Sequence, residues 1–182
     1  MGNENLMSFG HAATYEDLER IPPTGLVARI AGVLRIWDAS TFHPFILAIN
    51  TKSIDDDQKA NLYALLESYI VRREICGLTT KNYNKVVTGL VRQIRGSADP
   101  LNSVRKHFAA LKGDASLMPS DLKVGESVAR RPADSEMPTP RLRYILEQLE
   151  YIHRGKFDEV IVLTRNDKGS YGSQTAFNRY TG

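Results

Sequence analysis

The side chains that most often carry chemistry are sparse in this chain. There are four histidines, His11, His43, His107 and His153, and one cysteine, Cys76. No histidine lies within five residues of another or of Cys76, so the ligand spacing of a zinc site is missing. A single cysteine also excludes an internal disulfide framework. Cys76 precedes Gly77 at the expected C-terminal end of a helix, where the dipole opposes a thiolate. It therefore reads as a small core residue. Neither GxxxxGK[ST] nor GxGxxG occurs, which removes the phosphate-cradling loops. No arrangement of Ser, Cys and His matches a nucleophile motif. The Asp55-Asp56-Asp57 run has the ligand type for a divalent cation, yet a helix N-terminus accounts for it without one. No catalytic residue and no metal ligand follows from these patterns.

Charge is the stronger signal. The net charge is only +3, but positions 72–112 hold Arg72, Arg73, Lys81, Lys85, Arg92, Arg95, Arg105, Lys106 and Lys112 against Glu74 and Asp99 alone. The first fifty residues run the other way, with Arg20, Arg29 and Arg35 against Glu4, Glu16, Asp17, Glu19 and Asp38. Such asymmetry fits an anionic partner such as nucleic acid, and it equally fits solvated helix faces. Lys81, Lys85, Thr88, Arg92 and Arg95 share one face of an expected helix that buries Tyr83, Val86, Val87, Leu90, Val91 and Ile94. Lys81, Lys85, Arg92 and Arg95 are the candidate DNA-backbone contacts, with Arg72 and Arg73 extending the stripe. The Arg72-Arg73 pair has a second reading, in which it offsets the helix dipole and reaches Glu67, Glu74 or backbone carbonyls. No aromatic interleaves the stripe, which disfavours base stacking on a single strand. Cys76-Gly77-Leu78-Thr79-Thr80 joins two helices and invites a helix-turn-helix reading. Arg73 falls where that motif packs a small residue, so an ordinary antiparallel helix pair fits better.

The elements that must position these residues are helical. The chain has 182 residues, 42% of them apolar and 25% charged, enough for one domain with a buried core and unlike a disordered chain. No apolar run approaches the length of a membrane span, and MGNENLMSFG is not a secretory signal, so the expected setting is cytoplasmic, away from membranes. Residues 1–13 read as frayed, and Pro22-Pro23 breaks the chain before the first helix, whose apolar face is Leu26, Ile30, Val33, Leu34 and Trp37. Thr41-Phe42-His43-Pro44 reads as a turn, followed by an apolar piece over 45–49. The aspartate run caps a helix with Leu62, Leu65, Leu66, Tyr69 and Ile70 inside, stopped by Gly77. Thr80 is expected to cap the next helix, Asp99-Pro100 opens another around Leu101, Val104, Phe108 and Leu111, and a short helix follows Ser120. Thr139-Pro140 opens the last, burying Leu142, Ile145, Leu146 and Leu149. Residues 160–164 are β-branched and read as one strand without a visible partner, which points to truncation. The expected fold is all-α, an irregular bundle of five to six helices with at most one short strand near the C-terminus. Its divisions are a flexible segment 1–20, a helical domain 21–155, and a strand and polar tail 156–182.

Three pieces of sequence resemble a known family. Leu65-Leu66-Glu67-Ser68-Tyr69-Ile70-Val71-Arg72-Arg73-Glu74-Ile75-Cys76-Gly77 is similar to the "LE-x-Y-hydrophobic-x-RR-x-hydrophobic-CG" signature of GmrSD-type, type IV modification-dependent restriction endonucleases. Phe42-His43-Pro44-Phe45-Ile46-Leu47 resembles that family's aromatic-x-Pro turn upstream. Met118-Pro119-Ser120-Asp121 and Arg141-Leu142-Arg143-Tyr144-Ile145-Leu146 resemble its later segment, in the same order. The resemblance spans about residues 20–155. It implies the helical region between a ParB-like nucleotidase and a His-Asn-His nuclease, whose DGQQR-type and E-H-hydrophobic-x-P motifs this sequence does not contain. His43-Pro44 is the one His-Pro, and it lies too early. The implied chain is catalytically inert alone and needs no cofactor, whereas the parent protein would use a nucleoside triphosphate and a divalent metal ion to cut DNA. Implied partners are duplex DNA and the missing nucleotidase and nuclease domains. An interaction scaffold for an acidic protein and a dimeric helix-turn-helix regulator stay open as alternatives.

Overall fold

The computed structural model describes residues 25–154, 160–165 and 171–176. The segment 1–13 expected to fray, the break expected at Pro22-Pro23, and His11 lie outside these residues. The chain divides into two compact units, Met1–Arg130 and Arg131–Gly182.

In the first unit, α1 (Leu26–Ile36) buries Ile30, Val33 and Leu34, with Trp37 completing the stripe at the C-cap. A 3₁₀ turn, Ser40–Phe42, leads directly into α2 (His43–Thr51). The turn expected at His43-Pro44 is thus corrected. His43 is helical at φ −52 and ψ −42, because Pro44 lies in the first helical turn, where the N–H it lacks would have no intrahelical acceptor. The apolar piece after it is this helix, burying Phe45, Ile46, Ala48 and Ile49.

Helix α3 (Asp56–Ile75) opens as expected. Asp55 caps it, its Oδ1 accepting the Gln58 N–H at 2.6 Å. At the other end Gly77, φ 62, donates to the Glu74 carbonyl, and Leu78 N–H reaches the Arg73 carbonyl. That pair of bonds is a Schellman stop. The next helix, α4 (Tyr83–Gly96), begins later than expected. Asn82, not Thr80, is the N-cap; the Thr80 carbonyl accepts the Tyr83 N–H instead. Helix α5 (Pro100–Ala110) starts as expected, with Asp99 accepting the Asn102 N–H at 3.1 Å. Helix α6 (Asp121–Arg130) follows Ser120, whose Oγ accepts the Lys123 N–H.

An antiparallel α3–α4 pair does not form. Helix α4 rests on α5 and α2, and α3 rests on α1, α2 and α5. The two meet at the connection 76–82, where the Tyr69 and Tyr83 rings are 5.9 Å apart. The loop after α5 fills the space beside them. The core centres on four aromatics from separate elements: Phe42 with Tyr83 at 4.8 Å, and Tyr69 with Phe108 at 4.9 Å. Such pairs contribute about 0.5–1.5 kcal/mol beyond area burial.

The second unit holds a single turn, α7 (Ala133–Glu136), then α8 (Thr139–Arg154) and strands β1 (Val160–Arg165) and β2 (Tyr171–Ala176). The carbonyl of Pro138 accepts from Arg141 and Leu142, so Pro138 is the cap position and Thr139 is already helical. The expected apolar stripe of α8 is half-buried at Leu142, Ile145 and Leu146, and Leu149 is 48% exposed. The strands form an antiparallel hairpin in the register Val160↔Ala176 to Arg165↔Tyr171. The expectation of one unpartnered strand is therefore corrected. Tyr171–Ala176 is polar and shows no apolar alternation, but backbone groups alone suffice to pair it. With that partner present, the orphan strand no longer speaks for truncation. The all-α class holds for the helical body, with seven helices of nine or more residues among the described residues.

Candidate nucleic-acid interface

The six proposed contact residues have three different fates. Lys81, Lys85, Arg92 and Arg95 are all exposed. On α4, Lys85, Thr88, Arg92 and Arg95 follow one stripe, since each residue turns the helix by about 100°. Tyr83, Val86, Val87, Leu90 and Ile94 are buried on the opposite face, whereas Val91 is half-exposed. Arg105, Lys106 and Lys112, on or just after the neighbouring α5, are exposed as well. Within the described residues none of these seven side chains makes an ion pair or a hydrogen bond. Three cations elsewhere in this unit are matched by acids: Arg29 to Glu67 at 2.9 Å, Lys59 to Asp56 at 3.1 Å, and Lys123 to Asp114 at 3.3 Å. Between positions 75 and 113 the one acid is Asp99, occupied as the cap of α5.

Arg72 is partly covered. Its guanidinium reaches Asp121 at 2.5 Å, Ser68 Oγ at 3.0 Å and the Pro119 carbonyl at 3.2 Å. It ties α3 to the start of α6. Arg73 is 0% exposed and cannot meet a phosphate. Its Nη1 donates to the Leu117 carbonyl at 2.8 Å, and its Nη2 donates to the carbonyls of Asp114, at 3.0 Å, and of Thr79. The Tyr69 and Tyr83 rings flank it at 5.3 and 5.7 Å. No carboxylate pairs with it among the described residues. The backbone-carbonyl reading of Arg73 is the one realised; its place in the DNA stripe is not.

Around this cation the connection 76–82 and the loop 111–120 are pinned together. Tyr69 OH donates to the Ser116 carbonyl at 2.9 Å, and Asn82 Nδ2 donates to Ser116 Oγ at 3.1 Å. Burial, partly opposed by the nearby Arg73, pushes the Tyr69 phenol up to about 12. The connection between α3 and α4 spans residues 76–82, longer than the three to four residues of a helix-turn-helix turn.

Two residues at the edge of the basic face escaped sequence reasoning. Gly89 on α4 faces His107 on α5; a Cβ at 89 would overlap the ring at Nε2 and Cε1. Burial, then the Arg92 guanidinium, lowers the His107 imidazole below its ordinary range. The available signal was Gly89 itself, since a glycine inside an amphipathic helix costs about 1 kcal/mol and usually has a packing reason.

No group of three or more His, Cys, Asp and Glu among the described residues is placed to hold a metal ion. Cys76 is half-buried at the C-cap of α3. No described helix is long and apolar enough to cross a membrane. Comparison with known proteins finds no matching family model, no matching curated protein and no matching solved structure.

Proposed function

We propose that this chain is a non-catalytic helical module that grips the backbone of duplex DNA through the exposed face of α4 and the adjoining surface of α5. One observation carries the reading: seven exposed cations without partners among the described residues stand in a stretch, 75–113, whose only acid is a helix cap. Lysine and arginine left free in this way gain most from a polyanion, because each phosphate contact releases condensed counterions. Duplex is favoured over single strand because Tyr83 and Phe108, the aromatics of this region, are buried and offer no stacking platform. The resemblance to GmrSD-type restriction endonucleases supports DNA as the anion. In such an assembly the module would link a nucleotide-hydrolysing part to a DNA-cutting part, and nucleoside triphosphate and divalent metal chemistry would reside in those parts.

The test is a fluorescence-anisotropy titration of a short duplex at several salt concentrations. Lys85→Ala with Arg92→Ala should flatten the slope of log affinity against log salt by about 1.8, two contacts at about 0.9 each. An unchanged slope and affinity would sink the assignment. A protein-docking scaffold is a second reading, favoured by Leu122 and Val128 on α6, which are 74% and 65% exposed.

A further inference from the structure

His107 stands where α5 crosses α4, with its ring in the notch left by the missing side chain of Gly89. Nε2 is buried there and has no hydrogen-bond partner. A buried acceptor without a donor costs less than a buried N–H without an acceptor beside a cationic face, so we assign the neutral ring with its hydrogen on Nδ1. Protonation in place would put an N–H against Gly89 with nothing to receive it, a loss typical of unsatisfied buried donors. The Arg92 guanidinium discourages protonation further. The charged side chains carried by the two helices are Lys85 and Arg92 on α4 and Arg105 and Lys106 on α5, with one carboxylate, Asp99 at the α5 N-cap, whose charge acts in the opposite sense. Helix α3, packed on α5 through Tyr69 and Phe108, contributes the carbonyl-bound Arg73. Burial and Arg92 together hold the imidazole below its ordinary value.

A phosphate changes that balance. Seated on Arg92, it would neutralise the nearest cation and offer acceptor oxygens outside the notch. The half-buried ring needs only a side-chain rotation to leave Gly89. We propose that His107 is a further phosphate contact of the basic face, drawn out of the Gly89 notch by a backbone phosphate at Arg92 and taking up one proton from solvent as it binds. This rests on the duplex reading above and adds to it a residue and a pH dependence.

The experiment follows the His107 Cε1–H resonance through a pH titration of the free chain and of the chain saturated with duplex, assigned by its loss in His107→Gln. Duplex affinity is measured in parallel from pH 7.5 to 5.5 at fixed ionic strength. His107 should titrate below the ordinary imidazole value when free and above it in the complex. Affinity should then rise as pH falls, by at most about tenfold per pH unit for one proton, and His107→Gln should flatten that rise. Gly89→Ala, whose Cβ evicts the ring, should return the free-state midpoint to the ordinary range. Normal salt-dependent binding with a His107 midpoint indifferent to duplex would overturn the proposal and leave the DNA reading intact. Absence of salt-dependent binding at every pH would remove both.

Discussion

Replacing Arg73 by alanine tests the idea that a buried cation locks the connection before α4 to the loop after α5. The guanidinium makes three bonds to carbonyls, at 2.8 Å to Leu117, at 3.0 Å to Asp114, and to Thr79. Bonds to a charged group are each worth about 1.5–3 kcal/mol, and the flanking Tyr69 and Tyr83 rings add about 1–2 kcal/mol of cation–π attraction. Against this, burying the charge costs several kcal/mol, which alanine recovers. Alanine also leaves three carbonyls short of a donor and opens a cavity. The balance is a loss of about 3–5 kcal/mol, as when one partner of a buried charged set is removed. Arg73→Met should lose less, because it fills the volume while returning the desolvation cost. Urea unfolding followed by circular dichroism at 222 nm gives both values, provided the m-value is unchanged. A loss below about 1 kcal/mol for Arg73→Ala would refute the keystone role, and so would a methionine variant weaker than the alanine one.

Two phenols give an alkaline signature. Tyr63 and Tyr69 are both pushed up to about 12 from the ordinary phenol value of 10.0, chiefly by burial. Their neutral forms favour the fold, so this contribution is complete below pH 10 and is lost as pH climbs towards 12. Absorbance at 295 nm should show both ionising late, and Tyr63→Phe should make unfolding less steep in pH above 10. Salt should act with opposite signs on the free chain and on its complex. Raising sodium chloride to about 0.5 M screens the mutual repulsion of the basic face, so the melting temperature of the free chain should rise while duplex affinity falls. A melting temperature that drops with added salt would mean the seven cations are neutralised within the fold.

What the sequence made legible follows helix periodicity. The stripe Ile30, Val33, Leu34, Trp37 and the cluster Val86, Val87, Leu90, Ile94 are buried as their spacing demands, and so the opposite stripe of α4 was legible as exposed. Arg73 was misplaced for a reason the same periodicity contains. Leu62, Leu66, Tyr69 and Arg73 recur at four, three and four residues, so Arg73 continues the buried row while Arg72 turns away from it. Adjacent arginines look alike in composition, but about 100° of helix separates a core position from a surface one. The late start of α4 was not legible, because Thr80 is a good cap residue and Asn82 is another. What selects Asn82 is its bond to Ser116, thirty-four residues away. The second strand was hidden for a related reason: β2 pairs through its backbone, and its side chains carry no pattern.

The distribution of acids separates a solvated helix face from a surface built for an anion. A solvated face commonly offers carboxylates three or four residues from its cations, each pair worth about 0.3–0.5 kcal/mol. On α4 the positions that could serve Lys85 and Arg92 in this way include Thr88, three after one and four before the other. It is exposed, and its hydroxyl donates to the Asn84 carbonyl at 2.9 Å. On α5 the exposed neighbours of Arg105 are Asn102 and Ala109. The interior of the same region shows the same omission, since the charge of Arg73 is met by carbonyl dipoles where a carboxylate would have served. Those dipoles are turned inward and do nothing for the surface cations. Among the described residues neither the fold nor its own helix faces supply the countercharge, and a polyanion of closely spaced phosphates is the kind of partner that would supply it at several positions at once.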